Sequence, residues 1–128
     1  MGFFDGFPIV YVRDLPRSLA FYRDELGFDE TYRHPPEGEP GFVALQLENT
    51  KLGLVVFAAP ESFLGRTPGD GLRFELWLYC DDVDDEVQRL RGNGVTVLRE
   101  PEDMPWGERL AYVADPDGNP VSLASKLG

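Results

Sequence analysis

The chain contains one pattern of residues twice, and this repeat limits the folds that the sequence can adopt. The stretch VRDLPRSLAFYRDELGF, which begins at Val12, matches CDDVDDEVQRLRGNGV, which begins at Cys80, when the two are offset by 68 positions. In this alignment Asp14 matches Asp82, and the apolar residues that follow occupy matching positions. The repeat predicts a fold built from two similar units.

Each copy predicts an amphipathic helix that begins at an acidic residue. Asp14 and Asp82 are typical N-cap residues, because a carboxylate there accepts hydrogen bonds from the first turn. Apolar residues follow at helical spacing, and Gly27 and the GNG at 92–94 end the two helices. The carboxylates clustered at 81–86 lie at the start of the second helix, where the helix dipole favours negative charge.

A strand is predicted before each helix and three strands after it, so each unit is a βαβββ module. The turn-forming sequences ENTK and DPDGN join the last two strands of each module. The predicted strands lie at 7–12, 29–33, 41–48 and 51–58 in the first half, and at 73–80, 95–100, 109–114 and 120–125 in the second.

The predicted fold class is α+β, with two tandem βαβββ modules that form a curved mixed sheet around a concave cleft. The modules span about 7–59 and 72–126, and a Pro- and Gly-rich connection of about 60–71 joins them. We expect residues 1–128 to form a single domain, because chains of this length commonly do. The helix-free side of two such sheets is a natural small-molecule cleft.

Composition excludes several classes of partner. The chain has 12 Lys and Arg against 23 Asp and Glu, and its net charge of −11 disfavours nucleic acid and anionic membranes. No apolar run approaches the roughly 20 residues that span a bilayer. The start lacks a basic segment and cleavage site, so we expect a cytoplasmic protein. Cys80 is the only cysteine, which leaves no intrachain disulfide and no Cys-based zinc site.

The paired βαβββ pattern resembles the vicinal oxygen chelate superfamily, which includes glyoxalase I, extradiol dioxygenases, fosfomycin-resistance enzymes and bleomycin-resistance proteins. The resemblance covers nearly the whole chain and rests chiefly on the first repeat and on DPDGNPVSL at 115–123. In motif the chain is most similar to the bleomycin-resistance proteins, which lack the superfamily's metal ligands.

The resemblance implies one metal-ligand position on each of four inward-facing strands. By strand register these positions fall on Phe7, Val55, Glu75 and Ser122. One carboxylate and one hydroxyl do not hold a catalytic divalent metal. His34, the only histidine, is expected in a solvated loop. We therefore expect no metal, no cofactor and no catalytic residue, and a binding protein rather than an enzyme.

Alternation along the strands predicts a cleft that is mostly aromatic and holds one acid. Such a surface suits planar or cationic ligands, although an aromatic stripe on a strand is also common in a protein core. Glu75 either meets Arg73, Arg99 or Arg109, or it meets a ligand cation. The expected lining residues are Phe7, Ile9, Tyr11, Val55, Phe57, Glu75, Trp77, Tyr79 and Ser122.

The likeness to bleomycin-resistance proteins adds residues outside these strands. Trp106 would flank a planar group of the ligand, and Gly107 would let the ligand approach the backbone. Pro8, with Phe3 and Phe4 in the preceding arm, would hook onto a second subunit. A homodimer is therefore expected.

The favoured function is sequestration of a small molecule, such as a cationic antibiotic of the bleomycin type. The first alternative is a superfamily enzyme (a lyase, isomerase or dioxygenase) that uses a metal on other ligands or acid–base chemistry from Glu75 and Tyr79. A second alternative is a protein-interaction module that has merely kept the fold.

Overall fold

The computed structural model describes residues 2, 5–57, 64–69 and 71–128. The chain divides into two compact units, Met1–Gly69 and Asp70–Gly128. Each unit carries one βαβββ module, so the predicted α+β class and the predicted repeat are confirmed. Within the described ranges, every helix is too short or too polar to cross a bilayer.

The first module is a four-stranded mixed sheet with strand order β1-β4-β3-β2. β1 pairs with β4 in parallel, and the other two pairings are antiparallel. Its elements are β1 (Ile9–Val12), α1 (Leu15–Leu19) followed by a π-helical segment (Ala20–Glu25), β2 (Asp29–His34), β3 (Phe42–Leu47) and β4 (Thr50–Val56).

The second module has the same topology, with strand order β5-β8-β7-β6. β5 pairs with β8 in parallel, and β8, β7 and β6 pair antiparallel. Its elements are β5 (Leu76–Tyr79), α2 (Val83–Gly92), β6 (Val97–Asp103), β7 (Glu108–Ala114) and β8 (Pro120–Lys126).

Both helices begin and end as the sequence predicts. Asp14 Oδ1 accepts a hydrogen bond from the backbone N–H of Arg17 at 3.1 Å, and Asp82 Oδ1 accepts one from the N–H of its third neighbour, also at 3.1 Å. Gly27 and Gly94 follow the helices with φ of +88° each, a conformation that glycine adopts without a steric penalty.

The middle of the first helix differs from the regular helix that was predicted. After Leu19 the helix widens into a π-helical segment, in which the N–H of Leu26 donates to the carbonyl of Phe21, five residues earlier, at 3.0 Å. The first helix has one more residue between its aspartate cap and its terminal glycine than the second helix has. A wider turn accommodates this residue while both helix ends keep their places.

Four of the predicted strands begin later than expected, β3 by one residue, β1 and β6 by two and β5 by three, and the starts of β1 and β5 affect predicted site residues. β1 begins at Ile9 and β5 begins at Leu76, so Phe7, Pro8 and Glu75 precede the strands to which they were assigned. Proline accounts for both limits, because it has no N–H to give to a ladder. Pro8 lies directly before β1, and Pro120 begins β8 one residue ahead of the Val121 that pairs with Leu76.

Each helix covers one face of its own sheet. α1 buries Leu15 and Leu19 in the first module, where the Tyr22 ring meets the Phe28 ring edge-on at 6.3 Å between centroids. α2 buries three apolar residues, Val83, Val87 and Leu90, in the second module. We call the opposite face of each sheet its helix-free face.

The DPDGN turn between β7 and β8 is held by a buried carboxylate. Asp115 is only 4% exposed, and its Oδ1 accepts from the backbone N–H groups of Asp117 and Asn119 at 2.9 and 2.7 Å. Its Oδ2 accepts from Asn119 Nδ2 at 2.9 Å. The turn therefore sets the pairing of β7 with β8 through side-chain bonds as well as through backbone conformation.

Replacing this carboxylate will destabilise the second module. Asp115→Ala leaves buried donors without a partner, and we expect a loss of about 1–3 kcal/mol in the free energy of unfolding. Urea denaturation followed by circular dichroism measures it. The control is Glu102→Ala, which removes an exposed carboxylate of the same module and should change stability by no more than about 0.5 kcal/mol. Equal effects of the two substitutions would contradict this role of Asp115.

Candidate functional site

Strand register places most of the predicted lining residues on the helix-free faces. Ile9 lies opposite Gly53 and Tyr11 opposite Val55 in the parallel pair β1–β4. In β5–β8, Trp77 lies opposite Ser122. Because paired residues share a face of the sheet, the alternation derived from the sequence groups these side chains correctly within each module.

In the first module, a glycine lets apolar side chains lie against the helix-free face. A Cβ at Gly53 would stand 2.5 Å from Ile9 Cδ1 and 3.2 Å from Phe7 Cε2, so a larger residue would displace both side chains. Phe7 and Ile9 remain 49% and 39% exposed. Phe42, which the sequence analysis did not single out, lies opposite Val55 and contributes to the same surface.

Phe57 lies just beyond β4, and a cationic side chain lies over its ring. The guanidinium carbon of Arg13 lies 4.5 Å from the ring centroid, which is a cation–π contact. The aromatic side chain therefore already has a charged partner within its own module.

In the second module, two of the predicted aromatic residues lie beside the same carboxylate. The indole Nε1–H of Trp106 donates to Glu108 Oε1 at 2.8 Å. The hydroxyl of Tyr79 interacts with the same carboxylate. Glu108 was not predicted from the sequence. Its position on β7 places it next to Lys126 of β8, on the helix-free face that carries Tyr79.

Trp77 and a lysine complete this group. The rings of Trp77 and Tyr79 meet edge-on, with centroids 6.4 Å apart, and Lys126 Nζ lies 5.9 Å from the Tyr79 centroid. Trp77, Tyr79 and Trp106 are 37%, 61% and 60% exposed. We call the five residues Trp77, Tyr79, Trp106, Glu108 and Lys126 the aromatic–carboxylate cluster.

The cluster changes the acidity of Tyr79. The pKa of its phenol is raised above the ordinary value, first because the hydroxyl donates to the Glu108 carboxylate and then because of partial desolvation. The Trp77 side chain lowers the pKa, but to a smaller extent. Tyr79 is therefore a neutral hydrogen-bond donor over the physiological pH range and a poor general base.

Glu75 lies beside a buried hydroxyl. Ser122 is fully buried, and its Oγ donates to Glu75 Oε2 at 3.4 Å, while the glutamate side chain is exposed. Arg73, one of the three arginines considered as its partner, donates to the backbone carbonyl of Asp117 at 3.2 Å.

The other two arginines bind other carboxylates. Arg99 donates to Glu102 at 3.3 Å, and Arg109 forms an ion pair with Asp84 at 2.8 Å and with a further aspartate at the same distance. The carboxylate of Glu75 therefore has a hydroxyl partner and solvent rather than either of these guanidinium groups.

The predicted metal-ligand positions do not fit a divalent metal. Phe7 and Val55 supply no donor atom, which leaves the Glu75 carboxylate and the Ser122 hydroxyl. Among the described residues, no three His, Cys, Asp or Glu side chains come together as a possible metal site. His34 is exposed and lies at the end of β2 rather than in the following loop.

The remaining predicted residues lie at the edges of the modules. Gly107 has φ of +90° in the turn before β7, and its carbonyl accepts from the N–H of Leu127 at 3.0 Å. The carbonyl of Pro8 accepts from the N–H of Gly53 at 2.9 Å. Phe3 and Phe4, the rest of the predicted dimer arm, lie outside the described residues.

Comparison with known proteins identifies the family. The model of the Glyoxalase/Bleomycin resistance protein/Dioxygenase superfamily matches residues 6–123, and the chain belongs to this superfamily. The chain is 31% identical to the "Probable lactoylglutathione lyase" of Synechocystis sp., over 90% of this chain and 89% of that protein. It is 26% identical to the "Bleomycin resistance protein" of Geobacillus stearothermophilus, over 94% and 95% respectively.

A solved structure supports the same assignment. The chain superposes on a superfamily member from Sphaerobacter thermophilus with a TM-score of 0.73 and 29% identity, covering 96% of this chain and 98% of that one. The resemblance predicted from the sequence is therefore confirmed at the level of the superfamily.

The contact between Tyr79 and Glu108 can be tested by alkaline titration. We expect a raised phenol pKa in the wild type and a lower one in Glu108→Gln, because the amide removes the negative charge beside the hydroxyl. The difference in ultraviolet absorbance between each protein and its Tyr79→Phe variant isolates this one tyrosine. Since folding favours the neutral phenol, the contact stabilises the fold below the unfolded-state pKa and is lost as pH rises through the folded-state pKa.

Glu102→Gln is the matched control for this titration. It makes the same chemical change at an exposed glutamate of the second module that pairs with Arg99. An unchanged Tyr79 midpoint in Glu108→Gln, or an equal shift in Glu102→Gln, would show that Glu108 is not the cause.

Proposed function

We propose that the protein is a non-catalytic binding protein that sequesters a planar, cationic small molecule at the aromatic–carboxylate cluster. One observation carries the proposal: the Trp106 indole donates to the Glu108 carboxylate at 2.8 Å, on the face that carries Tyr79, and both aromatic side chains remain more than half exposed. Aromatic surface and a positioned negative charge, both accessible, are what a planar cation requires.

The physical basis is stacking combined with charge attraction. A ring face attracts a cation by about 0.5–2 kcal/mol, and aromatic pairs add about 0.5–1.5 kcal/mol. The ammonium of Lys126 over the Tyr79 ring supports this view, because the ring already attracts a positive group. A ligand with a more extended cation would stack on Trp106 and place its charge against Glu108.

The net charge of the whole chain also favours a cationic ligand. A net charge of −11 raises the local concentration of cations around the protein and speeds their association. Salt screens this attraction, so the affinity for a cationic ligand falls as ionic strength rises.

We extend the proposal to the class of ligand and to the oligomeric state. A bleomycin-type antibiotic fits, since such a drug is cationic and carries planar rings, and the similarity to a bleomycin resistance protein favours it. We propose a homodimer as the binding form and antibiotic resistance as the biological result.

Titration with bleomycin tests the proposal. We expect saturable binding of metal-free and copper-bound bleomycin near one ligand per chain, measured by isothermal titration calorimetry at low and moderate salt. Glu108→Gln should weaken binding about 5- to 100-fold, because it removes a charged partner, and Trp106→Ala should weaken it about 2- to 30-fold. Light scattering on the same samples should give the mass of two chains.

Glu102→Gln again serves as the control and should bind like the wild type. A protein that binds neither form of the drug at micromolar concentration would exclude bleomycin as the ligand. Equal weakening by Glu108→Gln and Glu102→Gln would remove the cluster from the site and leave only the overall charge.

A superfamily enzyme is the second candidate function. The similarity to a lactoylglutathione lyase relative favours it, as does the contact between the Glu75 carboxylate and the Ser122 hydroxyl. In this case Glu75 would be the general base, because the raised pKa of Tyr79 makes the phenol a proton donor instead.

Glu75→Gln separates the two candidates. If Glu75 is the base, turnover of methylglyoxal with glutathione should fall at least about 100-fold in this variant while the substrate KM stays similar. Unchanged turnover in Glu75→Gln would exclude this role, and absence of turnover in the wild type would exclude that reaction.

A further inference from the structure

Lys126 is the one member of the aromatic–carboxylate cluster whose charge has the same sign as the proposed ligand. Its Nζ lies 5.9 Å from the centroid of the Tyr79 ring, within the range of a cation–π contact. The chain has only two lysines, and the other, Lys51, pairs with Asp5 in the first module. The cluster therefore already contains a cation, and this cation is covalently attached to β8.

Strand pairing also places this ammonium close to the carboxylate of the cluster. Glu108 and Lys126 are direct partners in the antiparallel pair β7–β8. The side chains of such partners leave the sheet on the same face, with Cβ atoms about 4.5–5.5 Å apart. In the described parts of the chain, however, Lys126 forms no ion pair, and Glu108 accepts from Trp106 instead. The ammonium thus lies near both groups that would attract a ligand cation, without being bound to the carboxylate.

The backbone around Lys126 is fixed, whereas its side chain is exposed. Lys126 is the last residue of β8, and the N–H of the next residue, Leu127, donates to the carbonyl of Gly107 at 3.0 Å. The ammonium is carried on a flexible four-carbon chain. It can therefore leave the Tyr79 ring without any change in the sheet.

We propose that Lys126 is a tethered competitor for the cation position of this site, so that a planar cation binds at Tyr79 only when the ammonium leaves the ring. This inference rests on the proposed function, because it concerns the same cluster. Displacement lowers the affinity of the ligand, since the ammonium loses its contact with the ring and two like charges then lie near one carboxylate. The competition selects for ligands whose ring area or number of positive charges exceeds that of a single ammonium.

A matched pair of planar probes tests the competition, the cation N-methylphenanthridinium and the uncharged phenanthridine. Their binding to the full-length protein is measured by equilibrium dialysis. We expect Lys126→Gln to bind the cation about 3- to 10-fold more tightly than the wild type does, because the competing ammonium and its repulsion are removed. Binding of phenanthridine should change by less than about twofold, because an uncharged ring does not repel the ammonium and leaves it in the cluster.

Two further variants control this experiment. Arg17→Gln makes the same change in net charge at an exposed position of α1 in the first module, and it should bind both probes within about twofold of the wild type. Lys126→Arg keeps a cation at the end of β8, and its affinity for N-methylphenanthridinium should also stay within about twofold of the wild-type value.

A measurement without any probe tests the contact itself. In protein labelled with ¹³C at the lysine Cε atoms, the two lysines give two signals, which Lys51→Arg assigns. The Hε protons of Lys126 should resonate upfield of those of Lys51, because they lie in the ring current of Tyr79. Tyr79→Leu should abolish this upfield shift.

The outcomes separate this inference from the proposed function. Tighter cation binding by Lys126→Gln would support the competition even if the wild type fails to bind bleomycin. Bleomycin binding by the wild type, together with equal affinities of Lys126→Gln and the wild type for N-methylphenanthridinium, would overturn the competition alone. An equal gain in Arg17→Gln, an equal gain for phenanthridine, absence of the upfield shift, or absence of cation binding by both the wild type and Lys126→Gln would also overturn it.

Discussion

The parallel pairing of the first and last strands of each module governs the rest of the structure. β1 pairs with β4 and β5 with β8, so the helix between them must cross over one face of its sheet. One helix covers one face of four strands and leaves the other without a helical partner. Side chains on that face, among them Ile9 and Trp77, therefore remain partly exposed and available to ligands.

The helix-free face of the second module gathers residues of complementary chemistry. The helix-free face of the second module combines aromatic rings with the Glu108 carboxylate and suits cations. Several arginines of the chain are instead paired with individual carboxylates, as Arg33 is with Glu30 and Arg109 with Asp84.

Features set by local sequence were predictable, because a cap or a tight turn depends on a few neighbouring residues. The Asp14 and Asp82 caps and the DPDGN turn belong to this class. Alternation also assigned Trp77 and Tyr79 to one face, since the strand repeat of two residues is fixed by geometry.

Features that depend on contacts between distant segments were not predictable in the same way. From the sequence alone, Glu108 is an ordinary surface charge that follows Trp106. Only the pairing register of β7 with β8 places its side chain on the face that carries Tyr79. The ion pair of Arg109 with Asp84, 25 residues earlier, similarly joins β7 to α2. The late start of β1 had a local signal, Pro8, which strand alternation does not take into account, whereas the late start of β5 depends on Pro120 of the paired strand β8.

The π-helical segment lets the helix of the first module contain one more residue without a change in the strands that follow it. The backbone N–H of Phe28 reaches back six residues to Tyr22, whereas that of Val95 reaches back five to Leu90, and both close the end of the helix in equivalent positions. An insertion can thus be absorbed inside a helix instead of shifting β2 or lengthening a loop. The two modules can in this way differ in helix length while they keep the same strand order.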